Sequence, residues 1–360
     1  MHRKLIFCFP ASSTCVNFFQ DLILELSKES EIHIISGKDY AFEELINFSK
    51  KNGFNMVNIN FPRKISLGLF NTYRKISLAI KKIDSSSSKA IVFSNTPIMS
   101  FMVSIFRLFN SRIKHIHFCH GLFSYNQRFL KHQVFKICEQ ITFNLSDGII
   151  FVSESLKEYA KNNYVLSQHK IKNISSITGV DIAPSTQFND FQFRLGFFGR
   201  VCFDKGFEDF YELYKMLPEH FTFVIAGPLD DKKYKKLLDS SDIRFKYLGV
   251  VNDRAEFFNN IDLLIFPSRR EGFGVAIIES SSYGVPTIAY DIVGVRDSLH
   301  SGSNGFKVLD ITTAAVTVQA LSKDADRYKQ LQKNSIAFVK NNFKKKEVLH
   351  RNLKIINELI

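Results

Sequence analysis

Two glutamates stand out by their setting. Glu271 and Glu279, with seven residues between them, bracket a glycine-rich stretch in FPSRREGFGVAIIESSSYGVP, residues 266–286. Glu271 closes a predicted strand-to-helix loop, and Gly272-Phe273-Gly274 falls where the helix begins. The first backbone N–H groups of a helix lack internal partners, and glycines let a ligand approach them closely. Such a place suits an anionic or hydroxyl-rich ligand. Glu279 lies inside the helix, about two turns on. A carboxylate there can accept two hydrogen bonds from a ribose diol, as acidic residues do in dinucleotide folds. An amphipathic helix with one solvated glutamate accounts for Glu279 alone, but not for the whole segment.

A second segment, GFFGRVCFDKGF at 196–207, follows a predicted strand. Arg200 and Lys205 flank its loop, and Gly199 and Gly206 allow tight turns. Two cations over a strand end suit a diphosphate and can stabilise charge on a departing one. Alone this spacing says little, because surface loops with two basic residues are common. His120 ends the run IHFC, at the carboxyl end of a predicted strand, which is a ligand-facing place in an open α/β sheet. Taken by itself a lone histidine there reads as packing. His115 and His117 alternate along the same strand and read as packing or surface residues. Ser153 reads as the cap of the following helix. Ser12, Ser13 and Thr14, after Pro10, offer hydroxyls to a phosphate or cap the next helix. No metal site is expected. The Asp-x-Asp pair Asp324–Asp326 lies in a late helical segment and reads as a solvated face. There is no Walker loop, and Gly272-x-Gly274 is followed by Ile277 where a dinucleotide fingerprint needs its third glycine.

The elements that must hold these residues alternate along the chain. Predicted strands cover 5–9, 32–36, 56–61, 90–94, 114–119, 148–152 and 171–177, with helical stretches such as 17–27 and 155–162 between them. Several strands are continuous apolar runs, as a parallel sheet buried on both faces requires. A linker-like stretch, DIAPSTQFNDF at 181–191, interrupts the pattern. Strands then resume at 193–198, 221–226, 244–248, 263–266, 287–290 and 306–309. This predicts an α/β protein of two Rossmann-like parallel-sheet domains, 1–186 and 187–343. A C-terminal helix, 344–360, is expected to pack back toward the first domain. Ser85–Ser88 read as a loop.

The chain has 360 residues, 45% of them hydrophobic, and a net charge of +13, which excludes a disordered chain or a disulfide miniprotein. Its five cysteines form no CxxC pair and suit a reduced cytoplasmic setting. The run Leu5–Phe9 is too short for a signal-peptide core. No apolar run is long enough to span a membrane; Pro97–Phe109 comes nearest and carries Arg107. Residues 51–138 hold 14 Lys and Arg against one acid, Asp84. The same stretch contains Met99, Phe101, Met102, Ile105, Phe106 and Phe109. Exposed apolar residues beside a basic surface suit an anionic membrane. The plainer reading is a solvated basic face over a core helix. No nucleic-acid motif accompanies the charge, and nucleic acid is not an expected partner.

Together these segments resemble the retaining glycosyltransferases of family 4, which have the GT-B fold. The resemblance rests on Gly199-Arg200 with Lys205-Gly206 and on the Glu271–Glu279 element EGFGVAIIE. TGVD at 178–181, AGP at 226–228, YLGVV at 247–251, DLLIFPS at 262–268, GVPTIAYD at 284–291 and NGFKV at 304–308 accompany them. It is strong over 176–310 and weaker before. It implies that Arg200 and Lys205 hold the diphosphate of a nucleotide-sugar donor, with uracil the commonest base, and that Glu279 binds the ribose. It places Glu271 and the amides of Phe273, Gly274 and Val275 at the donor sugar, and His120 as a donor-sugar contact. The family's first loop often carries a glycine pair, which Pro10–Thr14 here lacks. The resemblance also implies a metal-independent front-face substitution with no cofactor beyond the co-substrate. The expected acceptor is a polyprenyl- or lipid-linked saccharide in surface polysaccharide assembly, reached from the inner face of the cytoplasmic membrane. Epimerases and phosphorylases share the fold, and a non-catalytic partner subunit is a third reading. The Arg200, Lys205, Glu271 and Glu279 set favours the transferase.

Overall fold

A computed structural model describes residues 3–61, 68–84, 90–125, 129–174, 176–183, 191–239 and 242–360. They form two compact units, Met1–Thr178 with Val348–Ile360, and Gly179–Glu347. The expected linker residues 184–190 and the serine loop 85–88 lie outside the described residues, as do Arg63, Lys64, Lys89 and Arg128.

The first unit is built on strands β1 (Arg3–Phe9), β2 (Ser30–Ser36), β3 (Asn55–Asn58), β4 (Ala90–Asn95), β5 (Lys114–Cys119), β6 (Gly148–Phe151) and β7 (Ile171–Asn173). Between them run α1 (Ser12–Phe18), α2 (Gln20–Leu26), α3 (Phe42–Asn52), α4 (Gly68–Asp84), α5 (Pro97–Phe109), α6 (Phe129–Leu145) and α7 (Glu154–Asn163). The strands are parallel and ordered β3-β2-β1-β4-β5-β6-β7. β1 is central, and Leu5 through Phe9 are buried without a break. Its Phe7 stacks on its register partner Phe93 with ring centroids 4.7 Å apart. The chain moves one way from β1 to β3 and the other way from β4 to β7. Right-handed crossovers therefore put α1–α3 on one face and α4–α7 on the other. Ile6, Cys8 and Ile35 accordingly pack with Ile76 and Ile80 of α4 and Met99 and Phe106 of α5.

Three expectations change. The helix expected over 17–27 is two short helices, α1 and α2, broken at Phe19, whose buried ring meets Phe9 and Phe118 edge-on at 5.1 and 5.2 Å. β3 and β7 are shorter than their apolar runs because each is an edge strand, paired on one side only. Met99, Met102 and Phe106, read as part of an exposed apolar surface, are buried. A helix apolar on nearly all sides belongs against a sheet, and on α5 Leu108 and Phe109 are the large apolar residues left exposed. Among the described residues no helix is long and apolar enough to cross a membrane.

The second unit has β8 (Arg194–Phe198), β9 (Thr222–Ala226), β10 (Phe245–Tyr247), β11 (Leu263–Phe266), β12 (Thr287–Tyr290) and β13 (Gly305–Val308). They are ordered β10-β9-β8-β11-β12-β13. Its helices are α8 (Phe207–Met216), α9 (Lys235–Leu238), α10 (Arg254–Phe258), α11 (Val275–Ser282), α12 (Val295–Ser298), α13 (Ile311–Ser322) and α14 (Ala325–Asn342). Separate apolar layers cover the two sheet faces, one centred on Phe207, Phe210 and Phe223, the other on Phe257, Leu264 and Ile277. The last helix, α15 (Lys345–Asn357), has most of its length in the first unit. There the amide of Asn352 donates to the carbonyls of Ser176 and Ile177 at 2.8 and 3.1 Å.

Candidate active site

In an open parallel sheet the ligand crevice lies beyond the carboxyl ends of the strands, where the strand order reverses. In the second unit that point falls between β8 and β11, which are parallel neighbours. The loops leaving them are 199–206 and 267–274, the two segments singled out by their chemistry. Gly206 shows how closely they meet. Its φ is +72°, and a Cβ would stand 1.9 Å from the carbonyl oxygen of Pro267, so only glycine lets the two backbones touch.

That contact brings together charges far apart in sequence. The Lys205 ammonium donates to Glu271 Oε1 at 2.5 Å, and Ser268 Oγ donates to the same oxygen at 2.6 Å. The ammonium also lies 5.8 Å from the centre of the Phe266 ring. Two further arginines tie the loops. Arg270 bonds Asp204 at 2.8 Å, and Arg269 reaches both Asp209 at 2.8 Å and the Phe203 carbonyl at 2.6 Å. Arg200 is more open and pairs with Asp230 at 2.6 Å. Behind the second loop Gly294, at φ +89°, comes so near that a Cβ would meet the Glu271 carbonyl oxygen at 2.6 Å.

α11 begins after Gly274, and the Phe273 side chain is buried against Phe343, with centroids 5.3 Å apart. The amides of Phe273, Gly274 and Val275 thus lie at the turn into α11. Glu279 sits on α11, 3.3 Å from the Nε of Arg254, whose guanidinium lies over the Phe198 ring at 5.0 Å. Burial raises the Glu279 carboxyl above the ordinary carboxylate range, and Arg254 pulls it partly back.

In the first unit the reversal falls between β1 and β4. Ser12 is buried, and its hydroxyl donates to the Gly37 carbonyl at 2.6 Å. Ser13 gives both its amide and its hydroxyl to Asp39. Thr14 gives its amide to the Ala11 carbonyl at 3.2 Å. Ala11 is the capping position of α1 and has no side-chain cap, and the Ser12 and Ser13 hydroxyls instead hold the turn. Asp39 places a carboxylate, not a cation, beside Ser13. His120 stands at the end of β5, half-buried, with Nε2 2.8 Å from Asn95 Oδ1. Asn95 turns its Nδ2 toward the Cys8 carbonyl at 3.4 Å, so His120 Nε2 is the donor to Oδ1. Burial pushes His120 down to about 4, and the ring is neutral at pH 7. Thr96, next to Asn95, has φ +72°, a strained value for a β-branched residue.

His115 and His117 are core residues. His115 is bonded to Ser94 at 2.7 Å and pushed down to about 3 by burial. Ser153 caps α7, accepting from the Leu156 amide at 3.3 Å. Asp324 caps α14, accepting from the Arg327 amide at 3.0 Å. Sequence reasoning did not find Arg254, Asp230, Ser268, Gly294 or Asn95. A glycine in IVGVRD was the available signal for Gly294. Nothing local marks the others, because sheet order decides their neighbours.

The Glycosyltransferase Family 4 model matches residues 17–182, and the Glycosyl transferases group 1 model matches residues 181–338. The two matches meet near the division between the units and between them span most of the chain. The chain is a family 4 glycosyltransferase of the GT-B fold. The transferase is 24% identical over 373 residues to the capsular polysaccharide biosynthesis glycosyltransferase CapM of Staphylococcus aureus, covering 95% of this chain and 94% of CapM. It is 25% identical over 228 residues, 58% of each chain, to the N,N'-diacetylbacillosaminyl-diphospho-undecaprenol alpha-1,3-N-acetylgalactosaminyltransferase of Campylobacter jejuni. Its fold matches that of Anabaena HepE in complex with UDP-glucose, with a TM-score of 0.77 at 18% identity, over 99% of this chain and 100% of HepE.

Proposed function

We propose that the transferase moves a hexosyl or N-acetylhexosaminyl unit from a UDP-sugar to a lipid-linked saccharide, with retention of configuration, in assembly of a bacterial surface polysaccharide. The observation that carries this reading is the meeting of Lys205, Ser268 and Glu271 at the strand-order reversal, with Arg200 on the same loop as Lys205 and Glu279 on the helix beyond. The names of CapM and of the Campylobacter enzyme support a polysaccharide product and a polyprenyl-linked acceptor. The UDP-glucose complex of the fold neighbour supports a uridine donor.

In this reading Arg200 and Lys205 hold the diphosphate. They stabilise the charge that grows as the bond from the sugar's anomeric carbon to phosphate oxygen breaks. The acceptor hydroxyl oxygen attacks the same face of that carbon, and its proton passes to the departing phosphate oxygen. No protein base is needed. Glu279 takes the two ribose hydroxyls, with Arg254 keeping it in place. Glu271 and the amides of Phe273, Gly274 and Val275 orient the donor sugar. The Lys205–Glu271 pair also offsets the repulsion that a bare Glu271 would exert on a diphosphate. The hydroxyls of Ser12 and Ser13 are left to the fold of their turn. The reaction takes place on the cytoplasmic side of a membrane, with no metal in the chemical step.

Incubation with UDP-glucose, UDP-galactose and their N-acetylamino counterparts, and an undecaprenyl-diphospho-saccharide acceptor, tests this. Transfer from one of them with an axial product linkage, read by the anomeric proton coupling, is expected. An inverted product, or transfer only from a donor lacking uridine, contradicts it.

A further inference from the structure

We propose that the outer face of α4, α5 and α6 is a docking surface for an anionic phospholipid bilayer. It rests on the proposed function only for its purpose, that of meeting a lipid-linked acceptor.

The charge asymmetry of the first unit comes first. α4, α5 and α6 contain two acids, Asp84 and Glu139, which are 5% and 3% exposed, while the exposed Glu154 and Glu158 of α7 on the same side are paired with Lys157 and Lys161. Asp84 accepts from the Ala90 amide at 3.2 Å. Glu139 accepts from the Phe123 amide at 2.6 Å and the Tyr164 hydroxyl at 2.7 Å. α4, α5 and α6 therefore send no carboxylate outward, while their Arg74, Lys75, Lys81 and Lys131 are exposed. The opposite side reverses the balance. Residues 12–52, which carry α1–α3, hold seven acids and four lysines. A negative surface attracts the α4–α6 face of this unit and repels the α1–α3 side.

The apolar residues of the outer face supply the second term. Leu130, Val134 and Ile137 follow one another at helical spacing on α6 and are 78%, 54% and 59% exposed. Phe70 and Leu78 of α4 and Phe109 of α5 are exposed as well, Phe109 at 80%. Large apolar side chains scattered singly are ordinary on a surface, but a helical stripe flanked by cations and free of acids fits the interfacial layer of a membrane. Aliphatic side chains gain nothing from a nucleic acid's phosphates, whereas burial in acyl chains removes them from water. α6 also starts from the carboxyl edge of the sheet, the edge at which His120 stands. A bilayer against α6 lies beside that edge.

Flotation of the full chain with vesicles tests the surface. One set is phosphatidylcholine alone, the other equal parts phosphatidylcholine and phosphatidylglycerol. The variants are L130S/V134S/I137S, R74E/K75E/K81E and, on the opposite side, E43Q/E44Q. All substituted side chains are exposed, and an unchanged melting temperature verifies each fold. The wild type is expected to float with the anionic vesicles and less as salt rises. The serine and charge-reversed variants should each lose about tenfold or more in partitioning, and E43Q/E44Q should match wild type. Failure of wild type to float with anionic vesicles overturns the proposal, as does wild-type flotation of the serine variant. Salt-sensitive binding to single-stranded RNA that the serine variant retains in full, without flotation, assigns the face to a polyanion and also overturns it. The proposed function fails separately: a chain that floats yet binds no UDP keeps this surface and loses that reading.

Discussion

Lys205 and Glu271 are 66 positions apart and share a hydrogen bond. Each was legible as a charged residue in a glycine-bordered loop, but their contact was not, because it depends on β8 and β11 being neighbours. The same holds for Arg254 with Glu279 and for Asp230 with Arg200. The pairs set the expected effects of substitution. Lys205→Ala should lower kcat by about 10²–10³, the range for losing a group that stabilises charge in the transition state. Steady-state kinetics checks it, and a kcat within a few-fold of wild type removes Lys205 from the reaction. Glu279→Ala should act on binding instead, weakening UDP by about 10- to 100-fold through loss of a charged hydrogen-bond acceptor. Calorimetric titration with UDP reads that change, and equal affinity for both proteins would take the ribose away from Glu279.

At the scale of elements, the order of strands and helices was largely readable, since a buried parallel strand is a short continuous apolar run. Where the reading slipped, tertiary packing decided. The Phe19 ring breaks one amphipathic pattern into two helices, and the sheet claims the apolar side of α5 that composition alone assigned to a membrane. The close approach of the two loops carries its own prediction. Gly206→Ala should destabilise the second unit by roughly 2 kcal/mol or more, because a left-handed backbone and a collision with the Pro267 carbonyl act together. Arg270→Ala, which removes a partly exposed ion pair with Asp204, should cost no more than about 1 kcal/mol. Urea unfolding of both variants checks the ranking, and an Arg270 variant as unstable as the Gly206 variant contradicts it.

For the molecule as a whole, the sequence showed a net charge of +13 concentrated in residues 51–138. It could not show that opposite sides of one unit differ in sign, which requires the strand order. Nor could it show that His115 and His117 are buried and that His120 is half-buried at the end of β5. Burial pushes His115 to about 3, His120 to about 4 and His117 well below its ordinary value. An unfolded histidine titrates near 6.5, so between about 4 and 6.5 the unfolded chain binds more protons. The stability these residues contribute is complete above about pH 6.5 and is lost as pH falls toward 4. Glu139, raised by burial, contributes with the opposite sign, so the histidine signals themselves are the measurement. His115, His117 and His120 should remain neutral at pH 5 by nitrogen-15 NMR, with His33 also lowered by burial, and ordinary titration of all ten histidines near 6.5 contradicts these environments. The central claim is that the second unit binds a nucleoside diphosphate through the loops after β8 and β11 and through Glu279. Its most direct test is a thermal-unfolding panel with UDP, GDP, ADP, CMP and NAD on wild type and Glu279→Ala. A ligand at 100 times its dissociation constant adds about 2.7 kcal/mol of stability, enough to move the transition. The expected result is a rise with UDP in the wild type that shrinks or disappears in the variant. No rise with any nucleotide, or an equal rise in both proteins, contradicts the account.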